Sequence, residues 1–165
     1  MKRVNIGMVM ALLIGSTALG RPEWKADVSD VAIPDVPAQG QVHGVDFEVE
    51  EATISGGVLT LRQGEDFFAD QELMIFLFLE EDESPAGKEY LAQPGEQQFG
   101  NPHIHMRYRV EGESMPETEM FMNRYSIQLR FGEIADGTLS GEIYLTLPDE
   151  HESFVAGRFE AKLEE

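Results

Sequence analysis

The chain has 165 residues, with 12 Lys and Arg against 31 Asp and Glu, a net charge of −19 and no cysteine. Such a negative field repels nucleic-acid phosphates and anionic lipid heads, which argues against both as partners. The missing thiols exclude thiol catalysis and thiolate metal sites, and a chain of this length can bury a core without disulfides.

Met1-Lys2-Arg3 precedes an uncharged, largely apolar run from Val4 to Leu19 that ends in small residues. This is the pattern of a secretory signal peptide (residues 1–20), with cleavage expected after Gly20. The run is shorter than the roughly 20 residues that span a bilayer, so stable membrane insertion is not expected after cleavage. No cysteine follows for lipid attachment, and the leader predicts a periplasmic or secreted protein. Losing Lys2 and Arg3 leaves 10 basic against 31 acidic residues, a net charge of −21.

Residues 21–41 carry three prolines, scattered acids and no sustained period, so they read as an arm or linker that Trp24 is suited to dock. A folded domain is expected over 42–165. Val45, Phe47 and Val49 alternate with acids, and Ala52 and Ile54 resume the apolar set after a slip that a bulge would produce. Gly56-Gly57 between two such runs predicts a hairpin. Phe67-Phe68 is expected to cap one end of the core. Leu73 to Leu79 is apolar throughout and reads as a central strand buried on both faces. Lys88 to Leu91 predicts a short edge strand, and the connection 112–122 a loop covering one end of the sheet. Thr138 to Leu147 and Phe154 to Leu163 supply the last two strands.

The stretch from His103 to Phe131 organises this pattern. Its first arm places Ile104, Met106, Tyr108 and Val110 on one face and His103, His105, Arg107, Arg109 and Glu111 on the other. The second arm, Arg124 to Phe131, alternates likewise, and a hairpin symmetric about Glu117 would set Arg109 near Ser126, Arg107 near Gln128 and His105 near Arg130. The predicted fold is all-β: an antiparallel two-sheet β-sandwich, Ig-like or similar, of about eight strands, with a small β-barrel as the alternative. The closing pattern GTLSGEIYLTLPD followed by VAGRFEA resembles the last hairpin of exported bacterial sandwich domains, a likeness that implies no activity.

Two clusters carry candidate chemistry. Arg107, Arg109, Arg124, Gln128 and Arg130 would form a stripe able to grip an anionic small molecule or an acidic protein segment, unless acids such as Glu48 and Glu50 use it up internally. His103 and His105 stand two apart on one strand face and suit zinc or copper(II), with Glu111, Glu48, Glu50 or His151 as further ligands if the fold brings them near. Arg107 and Arg109 on the same face oppose a cation. The acidic runs at 80–83 and 149–152 lack the spacing of a known calcium loop. No nucleophile elbow, His-Glu-x-x-His or phosphate loop occurs. The leading expectation is an exported, non-catalytic binding module of the bacterial cell envelope. A periplasmic zinc or copper protein centred on His103 and His105 is the second, and a hydrolase with a dispersed site the third.

Overall fold

A computed structural model describes residues 22–81, 83–95 and 100–164, and the expected leader lies outside them. The described residues are all-β, without a helix. Eleven strands follow in chain order: β1 (Gln39–Val42), β2 (Val45–Glu48), β3 (Glu51–Ser55), β4 (Val58–Gln63), β5 (Gln71–Phe76), β6 (Glu89–Ala92), β7 (His103–Tyr108), β8 (Glu117–Phe121), β9 (Ser126–Ala135), β10 (Thr138–Thr146) and β11 (Phe154–Leu163).

All eleven are hydrogen-bonded into one sheet in the order β6-β9-β10-β11-β3-β4-β5-β7-β8, with β1 and β2 attached to β11. β11 and β3 run parallel while the remaining strand pairs are antiparallel, so the sheet is mixed. The sheet is strongly curled into a half-barrel, a shape consistent with the barrel alternative, and the pairing draws no division into two sheets. Curling lets one sheet bury a single apolar face against itself. Leu59, Leu61, Leu73, Ile75, Ile104 and Met106 from one flank meet Ile127, Leu129, Ile143 and Leu145 from the other in one core.

The N-terminal segment lies on the outer face of β9 and β10. Val28 is fully buried beside Tyr144 and Ala156, with Val31 and Ile33 packed against them. The Trp24 indole donates to the Leu147 carbonyl at 2.9 Å, and the Tyr144 hydroxyl donates to the Glu23 carbonyl at 2.6 Å. The docking expected of Trp24 is thus seen, and β1 takes in Gln39 to Gln41, which the sequence placed in the arm.

Several expectations are corrected. The alternating arms 103–111 and 124–131 do not pair with each other: β7 lies between β5 and β8, while β9 lies between β6 and β10. Alternation fixes which face a residue takes but not which strand it meets, and residues 112–122 are long enough to contain β8 itself. That segment is therefore an edge strand and not a covering loop. Phe67 does not cap the core, being 91% exposed. β5 is not buried on both faces: Leu73, Ile75 and Leu77 point inward, whereas Met74 and Phe76 are half-buried and Phe78 is exposed on the outer side.

Candidate functional site

The curl separates the expected arginine stripe into two places. On one flank the register aligns Glu89, Arg130, Glu142 and Arg158 across β6, β9, β10 and β11. Arg130 contacts Glu142 at 3.0 Å and Glu89 at 3.8 Å, and Arg158 reaches Asp35 at 2.8 Å. On the other flank Glu51, Arg62, Glu72 and Arg107 align across β3, β4, β5 and β7, with Arg107 on Glu72 at 3.0 Å. Signs alternate along both rows, so each guanidinium lies beside carboxylates on neighbouring strands, the arrangement cross-strand pairs favour. Arg109 turns to the loop before β5, contacting Asp66 at 3.0 Å and Asp70 at 3.6 Å and donating to the Phe68 carbonyl. Arg107, Arg109, Arg130 and Arg158 are thus used internally, though by acids other than Glu48 and Glu50.

Gln128 is buried and donates through Nε2 to the carbonyls of Val28 and Val31, holding the N-terminal segment. Arg124 is exposed at φ 63° in the turn between β8 and β9, without an ion-pair partner among the described residues. The five residues expected to form one ligand stripe therefore do not converge.

His103 and His105 do share the outer face of β7, as the spacing requires. The His105 ring lies 4.5 Å from the ring of Phe76, and the His103 ring 4.6 Å from that of Phe78. Both aromatic partners come from the chain just beyond or within β5, whose end is paired with the start of β7. Phe78 is 55% exposed, and Met120 and Met122 on and beyond the free edge strand β8 are 61% and 58% exposed. The outer side of β5, β7 and β8 is therefore an open face of aromatic, thioether and imidazole groups at one margin of the sheet. Burial lowers the His105 pKa from its ordinary 6.5, and the neighbouring His103 lowers it further. Protonation of the unfolded chain then precedes that of the folded chain, so stability declines as pH falls below about 6.5. Because burial is the larger cause, Phe76→Ala is expected to raise the His105 pKa more than His103→Gln does, as followed by imidazole NMR titration. The reverse order would place the cause in the charge of His103.

None of the candidate third ligands joins this pair. His151 lies instead beside His43, their rings 4.2 Å apart, and His43 stacks on Tyr108 at 3.7 Å. His43 occupies the two-residue turn between β1 and β2 with φ 48°, a conformation that Gly44 beside it shares at φ 78°. The Tyr108 hydroxyl donates to Glu119 at 2.9 Å, and burial followed by these carboxylate contacts pushes its pKa upward. Nearby, the Ser153 hydroxyl donates to Asp149 at 2.7 Å and accepts from the His43 amide at 2.8 Å. That hydroxyl is committed to a carboxylate and a backbone amide, without an imidazole to take its proton. Among the described residues no three His, Asp or Glu side chains are grouped to hold a metal ion.

The sequence reading missed Met74, Phe76 and Phe78 as surface residues. Their signal was the two-residue period within 73–78, concealed because the outward set is apolar too. The His43–Tyr108–His151 cluster had no local signal, since three distant segments build it.

Compared with known protein families, curated proteins and solved structures, the chain matches none of them.

Proposed function

We propose that this chain is an exported, non-catalytic binding module of the bacterial cell envelope that captures its ligand on the outer face of β5, β7 and β8. The observation that carries this reading is the open face itself. At an edge of the sheet Phe78, against the His103 ring, and Met120, directly opposite His105, are exposed, as is Met122 just past the end of β8. Scattered exposed apolar residues are ordinary, whereas a contiguous apolar face bordered by polar groups marks an interaction surface. Elsewhere most of the polar chemistry of the expected stripe is consumed: Arg107, Arg109 and Arg130 pair with acids and Gln128 holds the N-terminal segment, which leaves Arg124. The leader pattern supports export, and the half-barrel is the finer fold that suits such a module, with its open margin free to bind.

The experiment immobilises the protein and measures retention of components from envelope extracts. Phe78→Ser combined with Met122→Ser is expected to abolish retention, and unchanged retention would sink the assignment of this face. A second reading, metal handling, is favoured by the shared orientation of His103 and His105 and by the aromatic rings packed against each.

A further inference from the structure

The register of the outer face brings together three donors that lie far apart in the chain. Met74 of β5 is directly opposite His105 of β7, and His105 is directly opposite Met120 of β8. Directly opposed residues on antiparallel strands point to the same side, with Cβ atoms about 4.5–5.5 Å apart. An imidazole is thereby flanked on both sides by a thioether, each on an unbranched side chain with the torsional freedom to turn inward. We propose that Met74, His105 and Met120 form a site for a soft monovalent cation of the copper(I) class, an inference that rests on assigning function to this face.

Two features favour that ion class over zinc or copper(II). Thioether donors select soft ions, whereas the borderline ions zinc and copper(II) favour imidazole together with carboxylate or thiolate. The chain has no cysteine, and no carboxylates join the histidines among the described residues. Phe76 packs on His105 and Phe78 on His103, so aromatic rings border the site. Arg107, the objection to any cation here, lies one row away and is neutralised by Glu72 at 3.0 Å. Arg109 is turned toward Asp66 and Asp70.

The probe is silver(I), which shares copper(I)'s softness without its redox chemistry, titrated into the full chain labelled at the methionine methyl groups. Of the eight methionines, the methyl signals of Met74 and Met120 are expected to move while those of core-buried Met106 and loop residue Met115 stay in place. Met74→Leu with Met120→Leu, a volume-conserving pair that keeps the fold, is expected to weaken silver(I) binding at least about 30-fold. Met115→Leu is expected to leave binding unchanged. Shifts confined to other methionines, unchanged affinity in the double variant, or tighter binding of zinc than of silver(I) would each overturn the site. A parallel titration with metal-depleted envelope extract separates the two ideas. Methyl shifts with that extract but none with silver(I) reject the cation and keep the face, and no shift with either rejects both.

Discussion

Gly157→Ala is expected to destabilise the protein by about 3 kcal/mol, read as a lowered midpoint in chemical unfolding followed by circular dichroism. Gly157 lies within β11 at φ 134°, a conformation open to glycine and costly for any residue with a Cβ. A methyl group there would lie 2.5 Å from the Val36 carbonyl oxygen and 2.8 Å from both the Ala38 Cα and the Pro37 carbonyl oxygen. Those are backbone atoms and cannot rotate away. The segment 36–38 is itself clamped to the next residue of β11, since Ala38 donates to the Arg158 carbonyl and Arg158 to the Val36 carbonyl, both at 2.8 Å. Relief would require the N-terminal segment to lift from the sheet. Strained φ and overpacking each cost about 1–3 kcal/mol, which sets the magnitude. An unchanged midpoint would mean that the segment does not cross β11 as described.

Gln128→Ala is expected to cost about 2 kcal/mol and to release the N-terminal segment. The side chain is buried and donates to the Val28 carbonyl and, at 2.6 Å, to that of Val31, while its Oε1 accepts from Arg130 at 3.1 Å. Truncation leaves the Val31 carbonyl without its donor and takes from the buried Val28 one of two donors to its carbonyl, the Val31 amide remaining at 3.0 Å; an unsatisfied buried group costs about 1–3 kcal/mol when water cannot reach it. Partial entry of water on loosening keeps the expected figure near the middle of that range. Trp24 reports the event directly, because it is the only tryptophan and its indole is tied to Leu147. Its emission is expected to shift to the red, and cleavage by protease within residues 22–36 to accelerate. Unaltered emission and stability would restore Gln128 to the role of a ligand contact.

Much of the architecture was legible because strand faces follow a two-residue period. The Gly56-Gly57 hairpin, the inward set of β7 and the alternation of β11 all stand where that period puts them. Partner choice was not legible. Arg107 and Arg130 share a pattern but sit on opposite flanks, and their acids, Glu72 and Glu142, become neighbours only through the strand order. The parallel contact of β11 with β3 joins segments at opposite ends of the domain and leaves no local trace. For the candidate site, the shared face of His103 and His105 follows from spacing, but not which of the chain's thioethers stand beside them. Met74 lies in an apolar run and Met120 in a segment with the pattern of a loop, and an outward apolar residue looks like core until its face is known.

Whether ligand capture belongs to the outer face of β5, β7 and β8 is decided by extending the retention measurement to two double variants in parallel. Phe78→Ser with Met122→Ser is expected to abolish retention, while Arg107→Gln with Arg130→Gln is expected to leave it nearly intact, since those guanidiniums are occupied by Glu72 and Glu142. Retention lost with the arginines and kept without Phe78 and Met122 would return the site to the guanidinium groups.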